Sequence, residues 1–161
     1  MITVCFDFGN TRLKYAVFKD RSFEYEAVLP DSEAATIESL MEEIQPAKTI
    51  LSSVIEHDKK IEEVLSSYSR FHLLSDKTKL PFTATVTRPE TIGADRLALS
   101  AAAVEFFPGK HNLVVGLGTC ITYNFIDKYR QFLGGGISPG MEMRLKSLRD
   151  YTAKLPLVKA D

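Results

Sequence analysis

Four short segments hold the residue types that handle phosphate and move protons. The first is Asp7-Phe8-Gly9-Asn10-Thr11-Arg12-Leu13-Lys14. A turn without a bulky side chain at Gly9 lets backbone N–H groups approach a phosphate. Asn10 and Thr11 add neutral donors, and Lys14 adds a positive charge. Asp7, at the end of an apolar run, has the hard oxygen chemistry that suits Mg²⁺ held through water. The same residues also suit a plain hairpin whose turn needs Gly-Asn for its backbone angles. No Gly-Lys-Ser/Thr follows, so this is not a Walker-type loop. The second segment is Pro89-Glu90-Thr91-Ile92-Gly93-Ala94-Asp95-Arg96. Asp95 there reads either as a first-turn carboxylate favoured by the helix dipole or as a base taking a proton from a substrate hydroxyl, with Arg96 beside it. Gly116-Leu117-Gly118-Thr119 repeats the small-plus-hydroxyl chemistry of the first segment. Gly134-Gly135-Gly136-Ile137-Ser138-Pro139-Gly140 reads as a strand-to-helix corner, either a tight turn or a phosphate- or adenine-lining backbone.

The elements that must position these segments follow from hydrophobic spacing. Ile2–Phe8 and Lys14–Phe18 predict a hairpin around Gly9-Asn10-Thr11, and Ser22–Leu29 predicts a third strand. Pro30-Asp31-Ser32 offers a helix start. Ile37, Leu40, Met41 and Ile44 repeat at i, i+3, i+4, i+7, which predicts an amphipathic helix that stops at Pro46. Thr49–Val54 predicts a buried strand. Ile61, Val64, Leu65 and Tyr68 predict a second helix, and Phe71–Leu74 another strand. Three strands followed by helix, strand, helix, strand is the order of a ribonuclease H-like unit. Residues 75–92 read as a connecting loop, and Ala94–Phe107 as a helix ended by Pro108-Gly109. The three-strand order then begins again at Leu113–Val115, Thr122–Ile126 and Gln131–Leu133, with a last helix from about Pro139. The expected division is 1–107 for a first ribonuclease H-like domain and 108–161 for the start of a second, which ends before its remaining elements could form. Such a half-domain is expected to expose an apolar sheet face.

Composition excludes several classes. Twenty basic side chains nearly balance twenty-one acidic ones, for a net charge of -1. No basic stripe supports nucleic acid or an anionic membrane as a partner. No run is long enough to cross a bilayer, and Ile2–Phe6 lacks the features of a signal peptide. Cys5 and Cys120 read as buried reduced thiols, which points to the cytoplasm. His57, His72 and His111 share no metal-ligand spacing.

Taken together, the four segments resemble the type III pantothenate kinases. That family shows Asp-x-Gly-Asn-Thr-x-x-Lys, Gly-x-Asp-Arg, Asp-x-Gly-Thr and Gly-Gly-x-Ile-x-Pro-Gly in this order and at about these separations, and the resemblance covers essentially the whole chain. It implies an α/β fold of duplicated actin-like (ribonuclease H-like) domains. It also implies a reaction in which ATP phosphorylates pantothenate at the first step of coenzyme A synthesis. By resemblance, Asp7 to Lys14 cradle ATP with Asp7 near Mg²⁺, and Gly118 and Thr119 touch the ATP phosphates. Gly93, Ala94, Asp95 and Arg96 bind pantothenate, with Asp95 as the general base. A monovalent cation (K⁺ or NH₄⁺) and a homodimer whose pocket borrows from the partner are also implied.

The chain departs from that pattern at specific places. The aspartate linked to the monovalent cation is Gly116 here. A tyrosine that contacts pantothenate, nine residues before the base, is Val86. An acidic residue after the second hairpin's Thr-x pair is Asn124, and the substrate-contacting threonine of the second domain would lie beyond Asp161. These departures keep a second reading open: a catalytically impaired nucleotide-binding regulator or accessory protein on the same fold. Another actin-like phosphotransferase or chaperone-type ATPase is a third, against which Gly93 to Arg96 argue.

Overall fold

The computed structural model describes residues 1–159. Its elements run β1 (Ile2–Phe8), β2 (Leu13–Lys19), β3 (Ser22–Val28), α1 (Ala34–Ile44), β4 (Lys48–Ser53), α2 (Lys59–Tyr68), β5 (Arg70–Leu73), β6 (Thr83–Ala84), α3 (Ala94–Phe106), β7 (Asn112–Leu117), β8 (Cys120–Ile126), β9 (Gln131–Pro139) and α4 (Met141–Asp150). The chain packs as two compact units. One is Met1–Thr78 with Ile92–Ala98, and the other is Lys79–Thr91 with the chain from Leu99 onward. No helix among the described residues is long and apolar enough to cross a membrane.

The first unit is a five-stranded sheet in the order β3-β2-β1-β4-β5. Strands β1, β2 and β3 pair antiparallel, whereas β4 and β5 join in parallel. This is the ribonuclease H-like order expected from the sequence. Alternation along β1 sends Val4, Phe6 and Phe8 to one face, where they meet Val17, Leu51, Ile37, Met41, Ile61 and Leu65 in the core. Each large side chain buried there contributes roughly 1.5–3 kcal/mol. Helix α2 starts on Asp58, whose carboxylate accepts from the Lys60 N–H at 2.9 Å. Helix α1 starts instead on Glu33 with no side-chain cap, and Asp31 turns its carboxylate to the Glu33 N–H. It ends on Gln45 in the left-handed region (φ 48°), just before Pro46. The β2–β3 turn is Asp20-Arg21, with both residues at positive φ as a type I′ turn requires.

The second unit holds a four-stranded sheet in the order β6-β9-β8-β7. Strands β7, β8 and β9 form an antiparallel meander that repeats the β1–β3 arrangement, and a helix follows it as α1 follows β3. Two sequence expectations are corrected here. The glycine run is not a strand-to-helix corner: Gly134, Gly135 and Gly136 lie inside β9, opposite Phe125, Asn124 and Tyr123. Residues lacking side chains leave no hydrophobic alternation, so the strand's continuation was hidden. The 75–92 segment is more than a loop, because β6 pairs in parallel with the start of β9 and a 3₁₀ turn forms at Pro89–Thr91. Phe82 stacks on Phe132 at 6.0 Å, and the Thr85 hydroxyl donates to the Phe132 carbonyl at 2.9 Å. Leu113, Val115, Leu117, Tyr123 and Phe125 share one exposed face of this sheet, with Leu117 81% exposed. Cys5 and Cys120 are free thiols, half-buried rather than fully buried.

Candidate functional site

The β1–β2 hairpin closes with the Gly9 N–H donating to the Arg12 carbonyl at 3.1 Å. Asn10, Thr11 and Arg12 are exposed at its tip, while the Phe8 side chain is fully buried in the core and Leu13 is half-buried. The Phe8 side chain is therefore not available to a ligand. Asp7 and Lys14 are direct antiparallel partners, so their side chains leave the sheet on one face. On its other side Asp7 pairs in parallel with Ser52 of β4. Lys14, Asp7 and Ser52 thus form a row across the end of the sheet, on the face opposite the helical core.

Helix α3 brings the second segment to this row. The Arg96 and Leu97 N–H groups both donate to the Gly93 carbonyl, at 3.0 and 3.1 Å, which opens the helix. Asp95 sits in the first turn, and its Oδ1 lies 2.6 Å from where a Cβ on Gly93 would stand. Val54, just past β4, is 3.6 Å from the same point. Ala94 is buried, and Asp95 and Arg96 are half-buried. Crowding at the strand end pushes the Asp7 carboxyl above the usual carboxylate range. The Asp95 charge adds to the rise, and Lys14 opposes it. With the Asp95 charge disfavouring the ionisation of Asp7, this is a place where a cation gains energy. Hard oxygen donors of this kind fit Mg²⁺. Among the described residues no cluster of three or more acidic, His or Cys side chains forms a closed metal cage. An ion at Asp7 would therefore take most of its ligands from water and phosphate.

The end of β4 is pinned by a network that sequence reasoning missed. The Val54 N–H donates to the Phe8 carbonyl at 3.0 Å, and the Ser53 hydroxyl donates to the Ile55 carbonyl at 2.9 Å. His57 Nδ1 lies 3.1 Å from the Ser53 Oγ, and its Nε2 lies 3.1 Å from Glu62. The His57 ring stands edge-on to Phe8 at 5.9 Å. The only signal in the sequence was the i, i+4 spacing of Ser53 and His57.

In the second unit, Gly116 lies within β7 opposite Thr122, and Gly118 and Thr119 form the β7–β8 tip. The Gly140 N–H donates to the Thr119 carbonyl at 2.9 Å. A Cβ on Gly140 would collide with the Gly118 carbonyl oxygen and stand 2.5 Å from that of Thr119. The end of β9 is thereby pressed against the hairpin tip, which joins the third and fourth segments. Thr122 is buried, and its Oγ1 has no hydrogen-bond partner among the described residues. Gly116 offers no side-chain oxygen there, and Asn124 is neutral. The residues present do not fit a carboxylate-held monovalent cation at this hairpin.

Comparison with known proteins agrees with these motifs. The family model described as type III pantothenate kinase matches residues 3–161. A type III pantothenate kinase of Christiangramia forsetii is 44% identical over 155 residues, 94% of this chain and 63% of that protein. One from Bacteroides fragilis is 40% identical over 160 residues, 96% of this chain and 64% of that protein. The chain belongs to the type III pantothenate kinase family, and it spans slightly under two thirds of the length of these relatives. Among solved structures, an Aquifex aeolicus Ppx/GppA phosphatase is similar with a TM-score of 0.49 at 14% identity, over 92% of this chain and 55% of that one.

Proposed function

We propose that the protein of which this chain is the sequence phosphorylates pantothenate from ATP, the first step of coenzyme A synthesis, in the cytoplasm. One observation carries this reading: a family match over residues 3–161 in which the fold brings Asp7, Lys14 and Asp95 to one sheet end. Lys14 offsets phosphate charge beside the hairpin, whose tip presents small and polar groups at Gly9, Asn10 and Thr11. Asp95 accepts the proton of the attacking hydroxyl, and Gly93 to Arg96 hold the substrate around it. Gly118 and Thr119 of the second hairpin serve the ATP phosphates. Mg²⁺, when bound beside Asp7, neutralises charge on the transferring phosphoryl group. The rest of the catalysis is positioning by the chain's own residues.

The segments 1–107 and 108–161 remain our units of duplication, supported by the repeated meander, although the packing units exchange residues 79–91 and most of α3. We also propose a homodimer formed through α4, which exposes Met141, Met143 and Leu148. A monovalent cation has no support from Gly116, and that departure favours the second reading, an impaired nucleotide-binding relative. Measuring ATP consumption with and without pantothenate decides between them. Pantothenate-dependent turnover supports the kinase. Nucleotide binding with no turnover supports the regulator.

A further inference from the structure

One buried hydroxyl of the first unit, that of Ser52, has no role in the site described so far. Ser52 is 7% exposed, and its Oγ is fully buried with no hydrogen-bond partner among the described residues. Leaving a buried hydroxyl unsatisfied disfavours the fold, so native chains keep few of them. This one does not arise from a loose segment. Ser52 lies in β4, and the residues after it are held by Val54 to Phe8, Ser53 to Ile55 and His57, and His57 to Glu62. Its direct partner across the parallel pairing is Asp7, so the two side chains leave the same face one strand apart. Neighbouring positions on a sheet are spaced so that a hydroxyl and a carboxylate meet after a small side-chain rotation.

We propose that Ser52 is a positioning residue for Asp7, its hydroxyl donating to one carboxylate oxygen when the other turns toward a bound divalent cation. The inference rests on the reading of Asp7 as the cation-bearing residue of a nucleotide site. With a cation held there, one Asp7 carboxylate oxygen would face it and the other would accept from the Ser52 hydroxyl, which would fix the carboxylate's rotamer. A hydrogen bond to a charged group is the strong kind, and losing it should weaken cation–nucleotide binding about tenfold or more.

The test uses Mn²⁺ as the probe ion, with a non-hydrolysable ATP analogue, read by calorimetry and by Mn²⁺ electron spin resonance. Ser52→Ala should bind Mn²⁺·nucleotide at least tenfold more weakly while its thermal midpoint is unchanged or higher, because an unsatisfied hydroxyl has been removed. Ser52→Thr, which keeps the hydroxyl on a residue suited to strands, should recover most of the binding. A merely structural serine gives the opposite pattern: Ser52→Ala melts lower and binds normally, and the proposal is then overturned. Should the unmodified chain itself fail to bind Mn²⁺·nucleotide, both the Asp7 reading and this inference fall. Normal binding by the parent and by Ser52→Ala alike removes Ser52 alone.

Discussion

Substituting Gly116 tests whether the second hairpin has lost a carboxylate or has been rebuilt around its absence. A Cβ at Gly116 would lie 2.7 Å from Thr122 Oγ1 and 3.0 Å from Leu99 Cδ1. The first is closer than packed atoms come and the second is tight, so the neighbours must shift, and overpacking of this kind costs roughly 1–3 kcal/mol. The φ of Gly116 is not positive, so the substitution also gains about 0.4–1 kcal/mol by stiffening the unfolded chain. Gly116→Ala should therefore be destabilised by up to about 2.5 kcal/mol net, which lowers the melting midpoint by up to roughly 10 °C for a chain of this size. Gly116→Asp meets the same crowding, but its carboxylate can accept from the buried Thr122 hydroxyl that now lacks a partner. That bond should return roughly 1 kcal/mol, leaving Gly116→Asp more stable than Gly116→Ala. Placing both substitutions in a Thr122→Ala background completes the cycle. There the crowding is relieved, the Ala variant should approach its parent, and the advantage of Asp should vanish. Chemical denaturation of the four variants and two parents measures all of this. Equal stability of Gly116→Ala and Gly116→Asp beside an intact Thr122 would refute the reasoning.

Asp95→Asn keeps the shape of the first turn of α3 but loses the proton acceptor, so kcat in the pantothenate-dependent assay should fall by roughly 10²–10⁴ with substrate binding largely kept. Unchanged turnover would return Asp95 to a helix-start charge. Asp7 is held above its ordinary carboxylate range, so its protonated form is favoured by folding. Its stabilising contribution is complete below the unfolded value of about 3.9 and is lost as pH rises through the higher folded value. Asp7→Asn should accordingly be more stable than the parent at pH 7, with the gain shrinking as urea melts are taken down toward pH 3. Gly140→Ala must displace backbone carbonyls at Gly118 and Thr119, so it should lower the melting midpoint more than Gly136→Ala in β9, where the nearest atom to an added Cβ, Tyr123 Cδ2, stands 3.9 Å away.

The first unit was legible because its side chains alternate cleanly. Val4, Phe6 and Phe8 announce a strand buried on one face, and Ile61, Val64, Leu65 and Tyr68 announce a helix stripe. Asp7, Lys14 and Asp95 were singled out by type and spacing, and the fold then placed them at one strand end. What stayed hidden depends on pairing between distant segments. The neighbour of Asp7 on β4 is fixed by parallel register, which no local pattern encodes, so Ser52 could not be placed beside it. The Asp20-Arg21 turn carries neither glycine nor asparagine, and tertiary pairing of β2 with β3 imposes its backbone angles. The 134–136 glycines show a chain reader a corner, whereas cross-strand hydrogen bonding with β8 makes them strand.

The pairing of β6 with β9 bears on how the chain can be assembled or divided. Thr83 and Ala84 meet Gln131 and Phe132, partners nearly fifty positions downstream. A peptide emerging from the ribosome in order would hold β6 and the Phe82 ring uncovered until β9 arrives, whereas β1 and β2 meet across a four-residue tip as soon as they are made. A fragment beginning at 108 would lack that strand and leave Phe132 without the ring that stacks on it. The seam at which this protein is best cut for independent folding of the later sheet therefore lies upstream of Phe82, and any split made at 107/108 separates two halves of one hydrogen-bonded edge.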